Sequence, residues 1–126
     1  MSGIEYLLDT NVVLGLLKGH PPAVALVQRS GMSLQRSAVS QITRMELLGF
    51  PGLQAEEEAV ISAFLQTCHV SLLDTSVEKV AIALRRRAGL KLPDSIVAAT
   101  ALTHGWQLLT LDEKLADRWN KAKQVS

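Results

Sequence analysis

Four carboxylates carry the chemical interest of this sequence. Asp9 follows an apolar run in Tyr6-Leu7-Leu8-Asp9-Thr10-Asn11, and Glu46 closes Gln41-Ile42-Thr43-Arg44-Met45-Glu46. Asp94 follows Leu92-Pro93, and Asp112 ends Leu108-Leu109-Thr110-Leu111-Asp112. Brought to one place, such groups repel by about 4 kcal/mol per pair at roughly 4 Å and an effective dielectric near roughly 20. A fold keeps the cluster by protonating some members or by binding a cation. Oxygen-only ligands without His or Cys beside them suit Mg²⁺ or Mn²⁺ rather than zinc. Mg²⁺ keeps several waters and uses few carboxylates, which suits a site shared with a phosphate substrate. One or two such ions can activate a water and stabilise the leaving oxygen of a phosphodiester. That chemistry needs no histidine base, no activated serine and no glycine-rich phosphate loop, and the sequence offers none of the three.

The elements that must position these acids are legible from periodicity. Four short apolar runs read as buried strands: Ile4 to Leu8, Ser37 to Gln41, His69 to Leu73 and Trp106 to Thr110. Helical spacing fills the intervals, at Thr10 to Lys18, from Pro21-Pro22, at Thr43 to Gly49, Ala55 to Thr67, Val77 to Ala88, Pro93 to His104 and Asp112 to Lys121. Strands alternating with helices predict α/β architecture. The expected form is a three-layer α/β/α sandwich around a mostly parallel sheet of about four strands, apolar on both faces because helices cover both. Ligands of open parallel sheets bind outside the carboxyl ends of the strands. Asp9, Glu46 and Asp112 all belong at that edge, and Asp94 reaches it if its helix begins there.

Each acid also has a purely structural reading. Thr43 to Glu46 fits a capping box, with Glu46 at the third helical position. Asp94 suits the macrodipole of a first helical turn, and Asp112 and Asp9 suit N-caps. Asp74 is a useful control. Leu72-Leu73-Asp74-Thr75 repeats Leu7-Leu8-Asp9-Thr10, yet Thr75 to Glu78 reads as a capping box, nothing further marks a site, and Asp74, Thr75 and Glu78 read as helix-start chemistry. Only the four acids as a set point to function.

Composition excludes several classes. At 126 residues and 48% hydrophobic content the chain is expected to be one globular domain spanning residues 1–126. No apolar run approaches the roughly 20 residues of a membrane span. The N-terminus lacks the basic and apolar regions of a signal peptide. A single cysteine, Cys68, allows no internal disulfide, and a cytoplasmic location is the expectation. Thirteen Lys and Arg balance twelve Asp and Glu, so nucleic-acid binding requires a local patch rather than bulk charge.

The ordered motifs resemble those of PIN-domain proteins, of the kind found as toxins in VapBC-type toxin–antitoxin pairs. They are Leu7 to Val12, Val39 to Gly49, Leu92 to Ala101 and Leu108 to Asp112, and the resemblance runs from Tyr6 to about Trp119. It implies a Mg²⁺- or Mn²⁺-dependent endoribonuclease whose metal-binding and catalytic acids are Asp9, Glu46, Asp94 and Asp112. Thr10, Asn11 and Thr110 match polar positions lining the family's site as supporting or substrate-contacting groups. The resemblance also implies a homodimer, an RNA substrate and a small antitoxin that blocks the site. The last motif departs from the family pattern: Leu111 stands in place of arginine and Leu115 in place of an aromatic.

Arg85, Arg86 and Arg87 with Lys91 form the densest basic stretch and lead toward Asp94, so they are candidate RNA contacts. Consecutive residues point about 100° apart on a helix, and a solvated face is the alternative. Asp117 reads as a surface acid among Glu113, Lys114 and Arg118. Cys68, Trp106 and Trp119 read as packing. Leu14, Leu17, Val24, Leu53 and Phe64 exceed what one small core needs, which leaves apolar surface for a partner. Two rival functions differ in chemistry. A haloacid-dehalogenase-type phosphatase needs a second aspartate two residues after the first, where this chain has Asn11. A PIN-fold module that binds RNA or protein without cutting would show a missing acid, and all four are present.

Overall fold

Apolar residues that alternate in strands and recur every third or fourth position in helices sort onto the two faces of one sheet. The computed structural model describes residues 3–125. Among these, strands β1 (Tyr6–Leu8), β2 (Ser37–Ser40), β3 (His69–Ser71) and β4 (Gln107–Leu109) form one sheet in the order β3-β2-β1-β4. Every pairing is parallel, with Leu7 opposite Ala38, Leu8 opposite Leu109 and Ser40 opposite Ser71. The helices are α1 (Thr10–Leu17), α2 (Pro21–Ser30), α3 (Gln41–Leu48), α4 (Ala55–Thr67), α5 (Thr75–Ala88), α6 (Leu92–His104) and α7 (Glu113–Val125). A 3₁₀ turn at Leu34–Arg36 leads into β2.

The period of two along each strand divides the core. Leu7, Ala38 and Leu108 join a cluster with Val77, Ala81 and Leu84 of α5, Ile96 and Val97 of α6, and Leu115 and Trp119 of α7. Leu8, Val39 and Leu109 face the other way, onto Val12 and Val13 of α1, Leu47 of α3, and Ile61 and Leu65 of α4. The expected three-layer α/β/α sandwich is therefore the fold, with a sheet that is wholly parallel. Leu14, Leu17, Leu53 and Phe64 are partly buried against the second cluster rather than left over. The large apolar side chains that remain exposed are others, including Met45, Phe50, Leu72 and Leu92.

Local chemistry sets the helix ends and corrects two expectations. Helix α3 starts at Gln41, because the Ser40 hydroxyl caps it by accepting from the Ile42 N–H at 3.2 Å. Gln41 thus leaves the strand, and Thr43 and Glu46 do not form a capping box. Likewise Asp74, not Thr75, caps α5, accepting from the Val77 N–H at 2.9 Å. The strands are also shorter than the apolar runs that announce them, since the flanking residues turn away into caps and loops. Helix α7 runs past Lys121 to Val125, because Trp119 and Ala122 continue its apolar stripe. At the α5–α6 turn, Gly89 takes a left-handed φ of 65°, which ends α5 where a side chain would be strained.

The strand order fixes where a site can lie. From β1 the chain adds β2 and β3 on one side, then crosses to place β4 on the other. The direction of winding reverses between β1 and β4, and a crevice opens at their carboxyl ends. The Asp9 N–H donates to the Leu109 carbonyl at 3.0 Å, which pins the two strand ends together there.

Candidate active site at the end of the first and last strands

Asp9 leaves β1 at this switch point and is only 7% exposed. Its Oδ1 accepts from the Thr10 N–H at 2.8 Å, so it also serves as the N-cap of α1. Its Oδ2 accepts from the Thr110 hydroxyl, at the end of β4, at 2.7 Å. Those two bonds favour the carboxylate, but burial outweighs them. The pKa of Asp9 is pushed above the ordinary value by desolvation, with further upward contributions from the charges of Asp94 and Glu46.

Thr110 is a saturated node. Its hydroxyl donates to Asp9 and accepts from the Asp112 N–H at 3.0 Å and from Asn11 Nδ2 at 3.4 Å. Asn11 also accepts the Leu111 N–H at 3.0 Å through Oδ1. The side chain of Asn11 therefore clamps the loop after β4 to the start of α1. Asp112 caps α7, accepting from the Leu115 N–H at 3.1 Å. This is the structural role expected of it, and it fixes the carboxyl group beside the switch point.

Glu46 reaches the same edge from α3. The Thr10 hydroxyl lies 2.7 Å from Glu46 Oε1 and 3.1 Å from Thr43 Oγ1. Thr43 is fully buried and was not foreseen as part of the site. The signal for it was present: Thr43 and Glu46 are three residues apart, on one helical face. Asp94 occupies the first turn of α6. Its pKa is also raised, first by desolvation and then by Asp112 and Glu46, while Lys91 and Lys114 oppose the rise.

The charges of Asp94 and Glu46 thus bear on Asp9, and those of Asp112 and Glu46 on Asp94. Among the described residues, however, no three His, Cys, Asp or Glu side chains stand together as a ready ligand set for a metal ion. Glu46 is held by the Thr10 hydroxyl. The donor chemistry, carboxylate oxygens only, fits a hard divalent cation.

The basic candidates separate. Lys91 precedes α6 and acts on Asp94; Lys114, near the start of α7, does so as well and was not foreseen. Arg85, Arg86 and Arg87 are exposed at the end of α5, and none appears among the charges acting on Asp94. Arg87 instead lines a groove with Arg118 and Lys121. Asp117 pairs with Arg118 at 2.7 Å and Lys121 at 3.2 Å, in keeping with a surface role. Trp106 and Trp119 are buried, as expected of packing residues.

A sequence model of the PIN domain matches residues 6–119. The chain belongs to the PIN-domain family. Ribonuclease VapC19 of Mycobacterium tuberculosis is 29% identical over 109 residues, covering 82% of this chain and 86% of the relative. Among solved structures, a toxin–antitoxin complex from Klebsiella pneumoniae is similar with a TM-score of 0.73 and 30% identity, over 86% of this chain and 87% of that one. FitAcB from Neisseria gonorrhoeae gives a TM-score of 0.74 and 25% identity, over 91% of this PIN domain and 93% of that chain. The four motifs that suggested the family lie within the matched span. No helix among the described residues of this PIN domain is long and apolar enough to cross a membrane.

Proposed function

We propose that this PIN domain is an endoribonuclease dependent on Mg²⁺ or Mn²⁺ and is the toxin of a toxin–antitoxin pair. One observation carries the reading. A buried aspartate, Asp9, is held by two donors at the topological switch point while the charges of Asp94 and Glu46 bear on it. A structural cap needs no such company, as Asp74 illustrates.

In this reading Asp9, Glu46, Asp94 and Asp112 hold the cation. A divalent ion bound there would lower the pKa of an attacking water and stabilise charge on the scissile phosphate and its leaving oxygen. The protein's own contribution is preorganisation. The Thr10 N–H and the Thr110 hydroxyl fix both oxygens of Asp9. The Thr10 hydroxyl, which also lies against that of Thr43, holds Glu46 at the end of α3. Asn11 and Thr110 keep Asp112 and its loop against α1. Lys91 and Lys114 offset part of the negative field that an RNA backbone would otherwise meet.

The VapC relative and the toxin–antitoxin complex support the ribonuclease and toxin parts of the reading. They also support a small antitoxin as a protein partner. A homodimer and a cytoplasmic site of action complete the proposal. Expression in a bacterial cell tests it. Wild-type protein is expected to arrest growth and leave discrete RNA fragments, with Asp94→Asn harmless. Growth arrest by both forms, or by neither, contradicts the proposal.

A further inference from the structure

Beside the acids lies a hollow of about 490 Å³, open to solvent. It is lined by Asn11, Leu14, Lys18, His20, Pro21 and Leu111. Its size falls within the roughly 300–1,000 Å³ of small-ligand sites. Close packing of α1 on α2 shapes it. A Cβ at Gly15 would come within 2.5 Å of the Ala23 Cβ and 3.6 Å of the His20 Cβ, so the glycine is what lets this turn fold so tightly.

The hollow adjoins the site through Asn11, which lines it and also meets Thr110. Asn11 accepts the Leu111 N–H and contacts Thr110, the residue that holds Asp9. The lining combines apolar walls from Leu14, Pro21 and Leu111 with the imidazole of His20 and the ammonium of Lys18. His20 precedes α2 but makes no side-chain cap bond, leaving the ring uncommitted to the helix. Lys18 forms no ion pair among the described residues.

We propose that this hollow is a nucleotide subsite that receives the residue flanking the scissile phosphate of an RNA strand. The inference rests on the ribonuclease reading above. Single-stranded RNA presents unstacked bases, which stack on aromatic side chains including histidine. Its phosphates seek cations, and Lys18 provides one on the α1 side while Lys91 and Lys114 act on the α6 and α7 side. A base against His20 and Leu111, with its phosphate near Lys18, would lie against Asn11, which meets Thr110, the residue bonded to Asp9. Leu111 makes this wall of the hollow apolar.

The test uses Lys18→Ala and His20→Ala, singly and together. Both side chains are exposed and outside the two core clusters, and unchanged melting temperatures confirm folding. Affinity for fluorescein-labelled single-stranded RNA is measured with Mg²⁺ in an Asp94→Asn background. Cut-site sequences are mapped on a random RNA pool without that background substitution. The double variant is expected to bind about tenfold more weakly, with the slope of log affinity against log salt reduced by about 0.7. Its cut sites should lose their preference for the flanking base. Wild-type affinity, slope and cut-site profile in an active double variant would overturn the subsite and leave the ribonuclease reading standing. The same result with loss of binding to a protein partner would assign the hollow to that partner instead. If the unsubstituted protein neither binds nor cuts RNA, the ribonuclease reading fails first and the subsite with it.

Discussion

Replacing Thr110 by valine keeps the shape of the side chain and removes the hydroxyl on which three contacts meet. The wild-type hydroxyl donates to the Asp9 carboxylate at 2.7 Å and accepts the Asp112 N–H at 3.0 Å. Its contact with Asn11 Nδ2, at 3.4 Å, is long and weak. A hydrogen bond to a charged group contributes about 1.5–3 kcal/mol, and a neutral one about 1 kcal/mol. Valine should therefore destabilise the metal-free protein by about 2–4 kcal/mol, chiefly because buried Asp9 Oδ2 is left without a donor. The Thr110 bond lowers the Asp9 pKa, so its loss should push that pKa further above the ordinary range. Thr110→Ser keeps the hydroxyl and should stay much closer to wild type on both counts. Urea unfolding measures the first effect, and carboxyl-carbon NMR titration of Asp9 measures the second. A Thr110→Val protein within about 0.5 kcal/mol of wild type, with Asp9 titrating unchanged, would refute the role assigned to Thr110.

Other perturbations have defined directions. Mg²⁺ or Mn²⁺ should raise the melting temperature of wild type and leave Asp94→Asn nearly unmoved, because a ligand that binds only the folded form stabilises it; equal shifts in a thermal melt would deny Asp94 a part in binding. Without metal, Asp9 and Asp94 hold their protons more tightly in the folded chain than when unfolded. Their ionisation therefore costs stability as pH rises through their raised pKa values, and acidification toward the ordinary value of 3.8 restores it. Asp94→Asn should be more stable than wild type in EDTA at neutral pH, and the difference should shrink toward about pH 4; a widening difference in pH-dependent melts would contradict the sign. Gly15→Ala should cost about 1–3 kcal/mol in urea unfolding, because its methyl meets Ala23 at 2.5 Å in a packed helix pair. A neutral substitution there would show that α1 and α2 separate easily.

Much of this architecture is legible in the sequence because strand and helix periods differ and both core faces are apolar. The run Ala55–Thr67 becomes a helix with those very bounds, framed by Gln54 and Glu57 at its start. Boundaries were misread where two residues compete for one cap. Ser40 wins over Thr43, and Asp74 over Thr75, because the strand ends nearest the residue that then caps. That competition decides the standing of Glu46: outside a capping box, its carboxylate is free to meet Thr10.

The approach of the acids to the switch point follows from strand order, which their spacing alone does not dictate. Thr43 escaped notice because its partner, Thr10, is 33 residues away. Lys114 escaped because it is one charge among several on α7. The arginine run drew attention by density, yet its place at the end of α5 leaves it outside the charges acting on Asp94. The hollow beside Leu111 depends on how α1 folds back on α2, a tertiary fact signalled only by Gly15 and the Pro21-Pro22 start of α2.

The central claim is that the four acids together cut RNA with a divalent ion. Its most direct test is incubation of purified protein with a mixed tRNA and rRNA pool in Mg²⁺ or Mn²⁺, alongside identically purified Asp94→Asn. The account predicts fragments at discrete positions from wild type, none when EDTA is present, and none from the variant. Equal cutting by both proteins, or intact RNA with both, would contradict it.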